Sequence, residues 1–256
     1  MLVSIVTPSL NGMDYLAECI ESVRSQASLS VDVEHILVDG GSTDGTPEFA
    51  AAAGCTVLTR EERNLTYAMN KGVRHASGTL VGFLGCDDIL LPGALDTVVR
   101  RYERDGRRWL VGRCRWIDAR GRSKGDQKPP PNWLPSSVLA SLDWSPFPPI
   151  STFTHRDFFA ELGWFDVWFY YAADFEFYVR ARSLEPFSRI NRALGGLRRH
   201  PYNTSKERNT IHEAEIAAIN QGHGPPGSGA RTTYRYGAKL LMNGQSPRWM
   251  VQKRLA

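Results

Sequence analysis

Along the first 115 residues the apolar positions switch between two spacings. Residues 2–7 (LVSIVT) form a short β-rich run that Pro8 ends. Tyr15, Leu16, Cys19, Ile20 and Val23 then recur at helical spacing, which predicts an amphipathic helix. Residues 33–38 (VEHILV) predict a second strand ending at Asp39. A Gly-Gly-Ser-Thr-Asp-Gly turn follows, and Thr46 or a neighbour caps a short Ala-rich helix with Pro47 at a favourable early position. Residues 55–58 predict a third strand, 66–76 a helix, 79–84 (TLVGFL) a fourth strand and 92–104 a helix that Pro92 starts. Residues 109–114 complete the series as a fifth strand. Strands separated by single helices imply a parallel sheet covered on both faces, an α/β architecture of Rossmann type.

Beyond that point the pattern changes character. Residues 128–149 are rich in Pro and Trp and predict an irregular loop with one short helix. Residues 158–163 read as helical, and 172–183 as a further amphipathic helix behind the aromatic run 164–171. The composition of residues 222–229 (GHGPPGSG) is that of a linker. There are no internal repeats.

Composition excludes several classes. Hydrophobic residues at 42% and charged residues at 23% are ordinary for a globular chain of 256 residues, so neither disorder nor a fibrous repeat fits. The cysteines Cys19, Cys55, Cys86 and Cys114 lie far apart without zinc-like spacing, as expected of reduced thiols in a cytoplasmic protein rather than a secreted disulfide scaffold. No apolar run is long enough to span a bilayer, and the N-terminus lacks the positive region of a signal peptide. The net charge of +4 hides an asymmetry: Arg231, Arg235, Lys239, Arg248, Lys253 and Arg254 stand in a tail with no acid. That tail interleaves Tyr234, Leu240, Leu241, Met242, Trp249, Met250 and Val251 with its charges. A nucleic-acid enzyme spreads its basic residues over a groove, so no nucleic-acid partner is expected. Residues 231–256 instead suit either peripheral contact with the inner face of a membrane or a tail packed on the body with its charges in water.

In an open parallel sheet, ligands bind at the carboxyl ends of the strands. Three such ends carry polar residues: Thr7-Pro8-Ser9, Asp39 and Asp87-Asp88. Acids gathered at one edge repel unless a cation or hydrogen-bond donors hold them. A divalent metal at Asp87 and Asp88, Mg2+ or Mn2+, with a polyol or base contact at Asp39, satisfies that requirement. Each feature also has a plainer reading, since an Asp-Asp before a helix commonly makes a turn or cap. The Gly40–Gly45 loop is not a dinucleotide fingerprint, and no Walker sequence occurs.

The motifs Ser4-Ile5-Val6-Thr7-Pro8-Ser9-Leu10-Asn11, Glu21-Ser22-Val23 with Gln26, and Glu34 through Thr46 (EHILVDGGSTDGT) resemble glycosyltransferase family two, of the GT-A fold. So do Tyr67-Ala68-Met69-Asn70-Lys71-Gly72, Ala76-Ser77-Gly78 and Phe83 through Asp88 (FLGCDD), all in the correct order. The resemblance implies a nucleotide-diphosphate sugar donor of UDP type. Thr7, Pro8 and Asp39 would line the nucleotide pocket, with Asn11, Gly41, Asn70 and Lys71 also on the donor side. Asp87 would contact ribose or metal, and Asp88 would be the principal metal ligand. Gly85 and Tyr67 stand where relatives often carry a polar or acidic residue.

Gly163-Trp164-Phe165-Asp166 and Ala172 through Phe177 (AADFEF) resemble the acceptor-side segment of the family, which makes Asp174 the catalytic base, with Glu176 on another helix face. Arg198-Arg199-His200 resembles the R-x-H that closes over the diphosphate, so Arg198 would bind donor and His200 would complete the metal site. The chain then divides into a nucleotide-sugar half (1–115), an acceptor half (116–221), a linker (222–230) and the basic tail (231–256). The expected activity is metal-dependent inverting transfer of a hexosyl unit to a hydroxyl of a glycan, glycolipid or lipid-linked acceptor. A nucleotidyltransferase, and a relative whose site has decayed to sugar-nucleotide or carbohydrate binding, are the alternatives.

Overall fold

The computed structural model describes residues 1–59, 64–200 and 210–245. The predicted alternation is present in the first half. Strands β1 (Leu2–Ser9), β2 (Asp32–Asp39), β3 (Thr56–Thr59) and β4 (Leu80–Phe83) pair in parallel in the order β3-β2-β1-β4. Between them run α1 (Met13–Arg24), α2 (Thr46–Ala52) and α3 (Leu65–His75). Helix α3 lies against β1 at Gly72, where a Cβ would stand 2.2 Å from Val6 Cγ1. The family-like stretch ending in Gly72 is therefore a packing contact, since any side chain there would push the helix off the sheet.

Past β4 the sheet is no longer purely parallel. A two-residue strand β5 (Ile89–Leu90) precedes α4 (Ala94–Asp105) and the long β6 (Trp109–Asp118). Next come β7 (Ser123–Gln127), α5 (Ser136–Ala140), β8 (Thr152–His155), α6 (Arg156–Leu162), α7 (Ala173–Leu184) and β9 (Ser188–Arg199). β8 sits antiparallel between β4 and β6, whereas β9 runs parallel to β6 and carries β5 on its far edge. β7 continues where β8 leaves off, pairing with the second half of β6. The described residues thus form one nine-stranded sheet. β6 joins its two halves, and the expected boundary at residue 115 falls inside that strand.

Strands β5, β7, β8 and β9 lie outside the five that periodicity predicts. β9 (SRINRALGGLRR) is rich in arginine and glycine, and it exists as a strand through its long pairing with β6. Helices cover both faces of the sheet. On one, α1 and α4 pack a core that includes Val23, Leu95, Val98 and Phe153. On the other, an aromatic layer joins β6 to α7: Trp109 stacks on Tyr178 at 5.7 Å and 4°, with Phe147 and Phe187 against its edges at 5.4 and 4.9 Å.

Helices α8 (Thr210–His223) and α9 (Ser228–Gln245) finish the described chain. The expected linker shrinks to residues 224–227, because helix formation continues on both sides of the prolines. The start of the basic tail packs on the body: Ala238 is buried, Arg231 Nε donates to the Pro225 carbonyl at 2.9 Å, and Arg235 Nε donates to the Ser141 carbonyl at 3.0 Å. Two of the tail's charges are thereby spent within the protein. Trp249, Met250 and Val251, and the side chains of Leu240, Leu241 and Met242, lie outside the described residues. Among those described, no helix is long and apolar enough to cross a membrane. Trp109 is fully buried where β6, β8 and α7 meet, so Trp109→Ala is expected to lower unfolding free energy by about 3–5 kcal/mol, read from urea unfolding.

Candidate active site

The crevice at the carboxyl ends of β1 and β2 is built from two loops that fasten to one another. Asn11, at φ 52°, takes the left-handed conformation that asparagine tolerates. Its backbone N–H donates to Ser42 Oγ at 2.8 Å while its side-chain oxygen accepts from Thr43 N at 2.9 Å. Gly12 N donates to Thr46 Oγ1, and Met13 N to Asp44 Oδ2, so the second loop also satisfies orphan donors at the start of α1. The Ser-Thr-Asp-Gly-Thr stretch is thus a fastening between loops as much as a ligand cradle.

Asp39 is buried at the end of β2, and its carboxylate accepts from Gly41 N (2.8 Å), Ser42 N (2.9 Å) and Ser42 Oγ (2.5 Å). Those donors offset its desolvation and leave room for one more hydrogen bond on a group that can accept about four. Gly41 faces open space at φ +90°. Pro8 pairs with Val38 one step before Asp39. Thr7 is fully buried, and its hydroxyl lies 2.8 Å from His35 Nε2. Burial pushes His35 down to about 4, so that ring is neutral at pH 7.

The acids after β4 form a second cluster. Asp88 is buried, and burial together with the adjacent Asp87 carboxylate pushes its carboxyl well above the usual range. Asp88 Oδ1 accepts the backbone N–H of Arg198 at 2.8 Å. The other oxygen turns toward Gly85: a Cβ there would stand 2.9 Å from Asp88 Oδ2 and 2.7 Å from Asp87 Oδ1. Two carboxylate oxygens therefore converge on the side of Gly85 that carries no side chain. Hard oxygen donors so placed suit Mg2+ or Mn2+.

Two residues expected at this cluster are held by neighbouring side chains. His200, expected as a metal ligand, has its Nε2 2.9 Å from Asp87 Oδ2 and its ring against Tyr15 at 5.1 Å. Among the described residues, no group of three or more His, Cys, Asp or Glu side chains is arranged to hold a metal ion. Arg198, expected at the donor diphosphate, has a guanidinium that is 1% exposed and bonded to internal acceptors. Nε donates to the Asp87 carbonyl (2.7 Å), Nη1 to the Ala119 carbonyl (3.2 Å) and Nη2 to Glu18 Oε2 (2.6 Å), over the Tyr15 ring.

On the acceptor side, Asp174 stands in the first turn of α7, half-buried. Burial raises its carboxyl to about 7, against the opposing pull of the Phe175 and Asp174 backbone N–H groups and the Ser145 hydroxyl. Glu215, on α8, adds a like charge that also raises it. Glu176 is accounted for by structure, since Arg180 holds it with bonds of 2.6 and 2.7 Å. Asn70 joins neither cluster: its amide donates to the Phe165 carbonyl (2.8 Å) and accepts the Phe165 N–H (3.0 Å), clamping the aromatic run to α3. Lys71 Nζ donates to the Thr59 carbonyl at the end of β3, and Tyr67 is exposed on the same helix. Sequence reading missed Glu215 and Glu18, whose partners lie far away in the chain. The one local signal at Glu215 is an acid on the stripe with buried Ile216 and Ile219.

Residues 4–173 match the model of glycosyl transferase family 2. The chain belongs to this family. An uncharacterised glycosyltransferase of Mycobacterium tuberculosis is 31% identical over 187 residues, covering 70% of this chain and 68% of that one. Escherichia coli chondroitin synthase is 26% identical over 231 residues, but those are 86% of this chain and 32% of the synthase. An uncharacterised glycosyltransferase of Rickettsia prowazekii is matched over 58% of its length. Among solved structures, Staphylococcus aureus TarS in complex with UDP-GlcNAc superimposes with a TM-score of 0.71 at 16% identity, over 95% of this chain and 72% of that one. Glucosyl-3-phosphoglycerate synthase of Mycobacterium tuberculosis, in complex with Mn2+, UDP and glucosyl-3-phosphoglycerate, gives 0.59 at 21% identity over 89% of this chain and 82% of that one. These likenesses show the GT-A fold.

In this family 2 glycosyltransferase, then, Arg198 acts on the acid pair from behind. It holds Asp87 through the carbonyl and Asp88 through the carboxylate. Arg198→Lys keeps the charge but loses the planar fork, and is expected to cost about 2 kcal/mol of stability. Denaturant unfolding checks this; a variant as stable as the parent would remove Arg198 from this role.

Proposed function

We propose that this glycosyltransferase moves a hexosyl unit from a UDP-type sugar to a hydroxyl of a glycan or lipid-linked acceptor, with inversion at the anomeric carbon. The observation that carries the reading is Asp174, a half-buried carboxylate at the start of α7 whose pKa of about 7 suits a general base at neutral pH. Asp174 takes the proton of the acceptor hydroxyl as that oxygen forms its bond to the anomeric carbon and the nucleoside diphosphate departs. One positioned base and one displacement invert the centre. Glu176 is the neighbouring acid, and its pairing with Arg180 keeps it from serving as a second, covalent carboxylate.

Asp39 would accept from the base of the nucleotide with its remaining lone pair. Asp87 and Asp88 would hold Mg2+ or Mn2+, and the bound cation would supply charge to offset that developing on the leaving diphosphate. His200 would fix the orientation of Asp87. The Mn2+, UDP and UDP-GlcNAc held by the two structural neighbours support this donor chemistry. The nucleotidyltransferase alternative has no basic triphosphate loop after β1, because Pro8 to Gly12 contains no Lys or Arg.

Asp174→Asn is expected to lower kcat by a factor of about 10² to 10⁴ while UDP affinity changes little. In the parent, kcat/KM should fall as pH drops through about 7, because the base must be deprotonated. A pH profile of UDP release from UDP-sugars, with NMR assignment of the product anomer, checks both. Asp88→Asn, or EDTA on the parent, is expected to abolish thermal stabilisation by UDP with Mn2+. Persistence of that stabilisation in either case would exclude the metal at the acid pair.

A further inference from the structure

Helix α7 begins without a side-chain cap of its own: its N-cap is Ala172, whose side chain has no oxygen to offer. The donors just ahead of the helix are met from another part of the chain. Glu215 of α8 is 3% exposed, and its carboxylate accepts from Tyr170 N at 2.6 Å, Tyr171 N at 2.9 Å and Ala172 N at 2.9 Å. A buried carboxylate is costly unless such donors surround it, and three successive backbone N–H groups supply them. The segment it grips leads directly into Asp174 and carries the exposed Tyr170 and Trp168 just before it. This arrangement does more than end a helix tidily. It ties the position of the base to a helix contributed by a later part of the chain.

We propose that Glu215 is a positioning residue for the transfer step, fixing the 170–172 backbone so that Asp174 meets the acceptor hydroxyl. The inference rests on Asp174 being the base. A second effect follows from charge. Among the described residues, the groups that act on Asp174 include Tyr178 from its own helix, Ser145 from the loop after α5 and Glu215 from α8. Among them Glu215 is the anion, and its field favours the protonated form of Asp174, strengthening the base once it is ionised.

The test uses the full chain with carbon-13 in the aspartate carboxyls, the Asp174 signal being assigned from its absence in Asp174→Asn. This arm needs no substrate. Glu215→Gln keeps the shape, loses the charge and loses part of the acceptor capacity. Its expected result is a fall in the titration midpoint of Asp174 from about 7. In kinetics with UDP-GlcNAc or UDP-glucose and Mn2+, Glu215→Gln should lower kcat at least fivefold and Glu215→Ala at least twentyfold, with donor KM within twofold of the parent. An unmoved midpoint in Glu215→Gln, or a loss in kcat matched by an equal rise in donor KM, overturns the proposal. Failure of the near-isosteric Glu215→Gln to fold also overturns it, since Glu215 would then serve the fold alone. Normal turnover by Asp174→Asn would sink the base assignment itself, whereas normal turnover by Glu215→Gln beside an inactive Asp174→Asn sinks only the role of Glu215.

Discussion

A single guanidinium, buried at the end of β9, is what the donor side of the molecule is assembled around. Arg198 reaches the Asp87 carbonyl, the turn between β6 and β7 at Ala119, and Glu18 on α1, while its own N–H anchors Asp88. Each of those segments comes from a different stretch of chain. A buried cation is tolerable only when its donors are filled, and here filling them brings the strand-end loops into register. The acid pair inherits its geometry from that constraint. Asp87 and Asp88 stand close enough to raise the pKa of Asp88, a crowding that a cation would relieve.

The acceptor side uses the opposite sign. There a buried carboxylate, Glu215, collects backbone N–H groups, and a second carboxylate, Asp174, stands near it at the head of α7. The two sides are joined mechanically by α3. Its Asn70 clamps the backbone of Phe165, and its Thr66 donates to the Phe169 carbonyl at 2.7 Å. The aromatic run is therefore fixed at both ends, by α3 beneath and by α8 behind.

The strands β1 to β4 are legible because each is a short run rich in branched apolar residues, and such runs encode their burial locally, although β1 continues through Pro8 to Ser9 because that proline sits in register with Val38. β9 is not, because Arg189, Arg192, Arg198 and Arg199 break its apolar run and its strand state comes from β6. The acid pair was legible as a strand end carrying paired acids. Its partners were harder. Arg198 and His200 are legible by resemblance, but their contacts to Glu18 and Asp87 are not, because those partners lie far away in the chain. The contact of Asn70 with the Phe165 backbone is hidden for the same reason. Glu215 gave no sequence signal tying it to Asp174, since its partners lie 43 to 45 residues away.

The shared strand β6 has an evolutionary consequence. One edge pairs with β9 over nearly its whole length, and the other is divided between β8 and β7. A crossover that replaced one half of the chain with that of a relative would cut this strand, or mismatch it, and expose a ladder on both sides. The two halves of the sheet therefore cannot be exchanged as independent cassettes. Changes in length are tolerated where neither the sheet nor the cores use the chain, as in the exposed residues 27–30 between α1 and β2.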